Sequence, residues 1–80
     1  MTYQIQLFGI TREIVGQNSL AFSAPESLNA ASLLTSLKDS YPQLQKIKSL
    51  LVAVNSEYAD DDLMLNISDE IALIPPVSGG

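Results

Sequence analysis

The residues of this 80-residue chain best suited to chemistry stand together at its end: Pro75, Pro76, Val77, Ser78, Gly79 and Gly80. The two prolines fix extended backbone angles, and polyproline geometry advances ~3.1 Å per residue, so the six residues reach roughly 19 Å when fully extended. That is long enough to enter a partner's pocket. Gly79 and Gly80 carry no side chains, so the terminal carboxylate can pass a narrow channel and its carbonyl carbon is open to attack. A free carboxylate is a poor acyl donor. Adenylation by another enzyme would give it a good leaving group, and a sulfur nucleophile would then produce a thiocarboxylate. With no cysteine in the chain, the C-terminus is the one place where sulfur could be carried covalently. The competing reading is a flexible, solvated terminal segment with no role, as many chain ends are.

The remaining chemistry is sparse. Asp60, Asp61 and Asp62 could ligate a hard cation, but they lack the alternate spacing and distal bidentate Glu of a calcium loop, and a solvated acidic loop is the stronger reading. No metal site is assigned. Arg12 and Glu13 are adjacent and read as surface charges or a loop-fixing pair. Glu26, Glu57 and Glu70 are scattered, and no two are marked as an acid and base pair. With neither Cys nor His, the chain has no thiol nucleophile and lacks the commonest general base and metal ligand. There is no glycine-rich phosphate loop and no serine-centred nucleophile motif. By its own inventory the chain is not an independent enzyme.

Four Lys plus Arg stand against nine Asp plus Glu, a formal charge of -5. That balance disfavours nucleic acid and anionic membrane as partners and favours a protein with a basic surface. Met1-Thr2-Tyr3-Gln4 lacks the basic and apolar pattern of a secretory signal, and the apolar run Leu50 to Val54 is too short to span a bilayer, so a cytoplasmic location is expected. A chain this short buries only a little over ~60% of its unfolded surface, which points to one domain and one core.

The elements that must hold the tail follow from periodicity. Tyr3, Ile5 and Leu7 alternate with Gln4 and Gln6, the period of a half-buried strand closed by Gly9. Phe8 falls on the face of the two glutamines, where an exposed aromatic would be a contact candidate. Ile10 to Gly16 reads as a short connection with room for a helical turn, and Leu20 with Phe22 as the second strand of a wide-looped hairpin. Ala30, Leu33, Leu34, Leu37 and Tyr41 form a helical stripe, with Asn29 or Ser27 as its cap and Pro42 forcing an end near Ser40. Leu50 to Val54 is continuously apolar, as in a strand covered on both faces. Asn55-Ser56-Glu57 reads as a turn, Tyr58-Ala59 as a brief strand, Asn66 to Asp69 as another turn, and Glu70 to Ile74 as the last strand. One helix cannot cover both sides of such a sheet, so an α+β fold is expected, one sheet over one helix, with residues 1–74 as the domain and 75–80 as a flexible tail.

Leu7-Phe8-Gly9 with Arg12-Glu13 and Gly16, Tyr41-Pro42, Val52-Ala53-Val54-Asn55 with Glu57, and the block Asp69 to Gly80 together resemble the small subunit of molybdopterin synthase. The terminal Pro-Pro-Val-Ser-Gly-Gly is its most specific part. The resemblance implies a ubiquitin-like β-grasp fold, in agreement with the strand and helix order. It also implies a sulfur carrier whose Gly80, preceded by Gly79, is adenylated by an ATP-dependent activating enzyme and converted to a thiocarboxylate. Sulfur would then pass to cyclic pyranopterin monophosphate in the large synthase subunit, in an assembly of two small and two large subunits. The carrier would bind no cofactor itself. Phe8, Tyr58 and Ile74 correspond to the apolar positions that partners grip, and Pro75, Pro76, Val77 and Ser78 to the approach of the tail. Sulfur carriage to a thiazole precursor or a transfer RNA base, or conjugation as a ubiquitin-like modifier, are the alternatives.

Overall fold

The computed structural model describes residues 1–76, so Val77, Ser78, Gly79 and Gly80 lie outside it. Five strands and two α-helices run in the order β1 (Thr2–Leu7), α1 (Ile10–Val15), β2 (Ser19–Ser23), α2 (Ala30–Ser40), a 3-10 helix (Pro42–Lys46), β3 (Leu51–Val54), β4 (Glu57–Tyr58) and β5 (Ile71–Ile74). The strands form one mixed sheet, ordered β2-β1-β5-β3-β4. The first and last strands are its central pair and run parallel, Ile5 opposite Ile71 and Leu7 opposite Leu73. The other contacts are antiparallel.

Alternation on β1 decides which face is inside. Tyr3, Ile5 and Leu7 are buried with Val52, Val54, Ile71 and Leu73 against Ala30, Leu33 and Leu37 of α2. Leu34 and Tyr41, also on the expected stripe, are partly buried at its margin. Asn29 caps α2 as its residue type predicts, its Oδ1 accepting the Ser32 N–H at 2.8 Å. Ser27 instead donates its hydroxyl to Met1 Sδ. The helix ends at Ser40 before Pro42, but the chain then tightens into the 3-10 helix and buries Leu44 completely, a core residue that the helical stripe does not reach.

Two sequence readings change. The connection after Gly9 is a full six-residue helix rather than a single turn. The β3 run is covered on both faces only in part: Val52 and Val54 point to the core and Ala53 on the opposite face is buried too, while Leu51 on that face is 46% exposed. Continuous hydrophobicity there combines a core face with an open apolar one.

The acidic triplet also has a structural use. The Ala30 N–H donates to Leu63 O and the Ala31 N–H to Asp61 O, both at 3.0 Å, so the loop satisfies the first orphan donors of α2. It brings three exposed carboxylates to the positive end of the helix. No group of three His, Cys, Asp or Glu that could hold a metal ion occurs among the described residues. No helix among them is long and apolar enough to cross a membrane.

β3 and β4 are joined by Asn55 and Ser56, with φ of 52° and 70°. A two-residue hairpin requires this left-handed pair, which Asn tolerates and Ser does not favour. Ser56→Gly is therefore expected to stabilise the fold by about 0.5–1 kcal/mol and to raise the thermal midpoint by several degrees. An unchanged or lowered midpoint in a melt followed by circular dichroism would contradict the assigned turn.

Candidate partner-docking site

The face of the sheet turned away from α2 has two halves. On β1 and β2 it is polar, with Thr2, Gln4, Ser19 and Ser23 outward and a Thr2 to Ser23 hydroxyl contact at 3.1 Å. Across β5, β3 and β4 it is apolar. The Leu7 to Leu73 pairing places Phe8 and Ile74 next along their strands, and Ala53 lies between Ala72 and Tyr58. The small alanines leave a shallow floor with larger side chains around it. The result is an open concavity of about 530 Å³ lined by Gln6, Phe8, Ala53, Ser56, Tyr58, Glu70, Ala72 and Ile74. Phe8 is 48% and Tyr58 69% exposed.

The structure thus brings Phe8, Tyr58 and Ile74 to one patch, from three different strand ends. Large exposed aromatics around an apolar floor make this patch a candidate interaction surface. Phe8 was readable from its parity with the glutamines. Ala53 and Ala72 were not singled out, because small residues in a strand carry no signal until the register is known.

A clamp behind the patch holds Phe8 in place. Thr11 is the one buried polar residue among those described. Its hydroxyl donates to Phe8 O and accepts the Phe8 N–H at 3.0 Å, while the Thr11 N–H also donates to Phe8 O at 3.1 Å. Between them Gly9 adopts φ 54°, ψ -132°, a conformation nearly restricted to glycine. A Cβ on Gly9 would stand 3.2 Å from Pro75 Cγ. The turn that presents Phe8 therefore lies directly against the first proline of the tail. Pro75 is half-buried there and Pro76 exposed. Arg12 and Glu13 sit exposed on α1 beside this root.

Comparison with known proteins then decides the family. The ThiS family model matches residues 5–80. The chain belongs to the ThiS family. Among the curated ThiS-like relatives, one from Dictyostelium discoideum named "Molybdopterin synthase sulfur carrier subunit" is 40% identical over 98% of this chain and 95% of its own length. One from Homo sapiens with the same name is 35% identical over 96% and 92%. Solved structures agree on the ubiquitin-like β-grasp. A putative molybdopterin converting factor subunit 1 from Pyrococcus furiosus superposes with TM-score 0.85, covering 96% of this chain and 99% of that one at 20% identity. Small archaeal modifier protein 1 from Methanosarcina acetivorans gives 0.78 at 27% identity over 100% and 99%. The Helicobacter pylori complex of subunits 1 and 2 of molybdopterin-converting factor gives 0.65 at 23% identity over 100% of both chains.

The contact between Gly9 and the tail root is directly testable. Gly9→Ala should cost about 1–3 kcal/mol, because it forces a side chain into a glycine-only conformation and against Pro75. Urea unfolding of this ThiS-family chain and the variant measures it; a cost of only a few tenths would mean that the turn relaxes without strain.

Proposed function

We propose that this chain is the sulfur carrier subunit of a molybdopterin synthase, working in the cytoplasm, with the Gly80 carboxylate as the group that is loaded. The observation that carries the reading is the placement of the apolar patch of Phe8, Tyr58 and Ile74 around β5, the strand that ends in Ile74 and continues into Pro75 and Pro76. A partner docked on that patch meets the root of the tail at the same time. The names and near full-length similarity of the curated relatives support the same role.

In this reading the chemistry is divided among three proteins. In an ATP-dependent activating enzyme a Gly80 carboxylate oxygen attacks the α-phosphorus of ATP, and pyrophosphate leaves. A sulfide-level nucleophile then attacks the acyl carbon, and AMP departs with the electrons of the C–O bond, leaving a thiocarboxylate. In the large synthase subunit the thiocarboxylate sulfur bonds to a carbon of cyclic pyranopterin monophosphate as a carbon–oxygen bond at that carbon breaks and the oxygen leaves with its electron pair, and hydrolysis of the acyl–sulfur bond then returns the carboxylate. Two loaded carriers supply the two sulfurs of the dithiolene, which accounts for an assembly of two small and two large subunits. The chain needs no cofactor of its own. Gly79 keeps the approach to Gly80 free of side chains, and Val77 and Ser78 bridge from the prolines to the reactive end.

Mass spectrometry after incubation with the activating enzyme, ATP and a sulfur source tests this. The expected result is replacement of one oxygen by one sulfur on Gly80; a mass that never changes would sink the reading. Deleting Gly80 should leave the thermal midpoint unchanged and abolish molybdopterin formation with the large subunit. Phe8→Ala and Tyr58→Ala should each weaken binding to the large subunit about tenfold, as truncating a buried aromatic anchor does. Calorimetry showing wild-type affinity for both would remove the patch from the interface.

The likeness to a small archaeal modifier protein favours a second reading, conjugation through Gly80 to lysines of other proteins. Thiol-resistant conjugates of higher mass in cell extracts would support it.

A further inference from the structure

The four cationic side chains of this acidic chain are unevenly placed. Arg12 from α1, and Lys46 and Lys48 from the end of the 3-10 helix and just beyond it, line one groove of about 910 Å³ together with Pro75 and Pro76. They meet because α1 packs against the 3-10 helix beside the tail root. Glu13 is the single carboxylate in the lining, which leaves a local excess of two positive charges in a molecule of net charge -5. Lys38, the fourth cation, lies on α2 in a separate depression with Asp39. Ile10, 49% exposed, gives the groove an apolar wall.

This groove is distinct from the apolar patch. Of the Phe8 to Thr11 turn it uses Gly9, whereas the patch uses Phe8, and no residue lines both. A protein that takes the tail therefore meets two different chemistries at its root, one apolar and one cationic.

We infer that the groove docks an acidic polypeptide segment of the enzyme that adenylates the tail. The sign of the charge selects an anionic occupant, and the apolar wall suits the aliphatic stems of Asp- and Glu-containing peptide. A nucleic acid fits poorly, since three cations neutralise few phosphates and the nine carboxylates of the chain repel a polyanion. Between the two tail-binding enzymes, the proposed use of the apolar patch discriminates. The large subunit is read as gripping Phe8, Tyr58 and Ile74, and no residue lines both that patch and the groove, which leaves the groove for the adenylating enzyme. The choice of enzyme rests on the sulfur-carrier reading; the sign of the occupant does not.

The test compares the chain ending at Gly80 with a Lys46→Gln, Lys48→Gln double variant and with Lys38→Gln, each titrated into the adenylating enzyme and into the large subunit. At about 0.05 M salt the double variant should bind the adenylating enzyme roughly tenfold more weakly than wild type, and the difference should shrink at about 0.3 M as charge is screened. Lys38→Gln should bind as wild type, and the large subunit should not distinguish the three. Wild-type affinity of the double variant at low salt overturns the inference. So does equal weakening by Lys38→Gln, which would mean that only total charge matters, or a loss confined to the large subunit. Sulfur loading at saturating adenylating enzyme, read by mass on the same samples, keeps the two claims apart. A wild-type chain that binds but never gains sulfur refutes the carrier reading, while the groove is judged on affinity alone.

Discussion

The parallel pairing of β1 with β5 is the constraint on which the rest of the molecule depends. It sets Leu7 opposite Leu73, and from that one register follow both the buried column of Ile5, Leu7, Ile71 and Leu73 and the meeting of Phe8, Gly9, Ile74 and Pro75 at its end. A slip of one residue would turn the core side chains of β5 outward and replace Ile74 by Leu73 on the patch. Core and apolar patch are thus two faces of the same pairing, and neither can change register alone. Parallel neighbours cannot be joined by a tight turn, so the whole chain between Leu7 and Ile71 acts as the crossover. That makes the pairing the most non-local contact in the fold, with the largest loop to close before it is rewarded.

The same register holds the root of the tail in place. β5 is paired on both sides, to β1 and to β3, as far as Leu73, and Ile74 is still paired to Leu51 of β3. Pro75 then removes a donor that a continuing strand would need, and its ring lies over Gly9. Thr11 fastens the other side of this junction through both backbone groups of Phe8. In an otherwise apolar interior, one buried threonine is enough to fix the turn, because the two hydrogen bonds of its hydroxyl and the one of its backbone N–H replace the ladder bonds that the end of β1 no longer makes.

What could be read from the residues alone was whatever depends on local period or on a single residue's backbone limits. Alternation on β1 gave the inner and outer faces, Asn29 gave a cap, and Pro42 ended α2. The motif at the end of the chain pointed to acyl chemistry before any fold was considered. Legibility failed where two elements far apart in sequence must be known to be neighbours. Leu51 and Val52 are indistinguishable by type, yet one faces solvent and the other the core, because only pairing with β5 assigns their sides. Leu44 hid behind Pro42, which ends a helix but does not forbid a tighter turn. Tyr58 entered through resemblance alone, since a two-residue strand has too little pattern to show a face.

Net charge and local charge point in different directions. A value of -5 describes the chain as seen from far away and argues for positive partners in general. Contact is made at shorter range, within about a Debye length of 8–10 Å, where the sum over the whole chain matters less than the few groups nearby. Around Pro75 and Pro76 those groups are Arg12, Lys46 and Lys48 against Glu13. A carrier that must be taken up by one enzyme and surrendered to another benefits from such a division. In the proposed role the apolar patch is sign-neutral and can serve both encounters, whereas the charged groove beside it favours an acidic partner over a basic one. Because a protein cannot dock twice on the same tail, exchange requires release, and rim electrostatics allow that more readily than a larger apolar interface would.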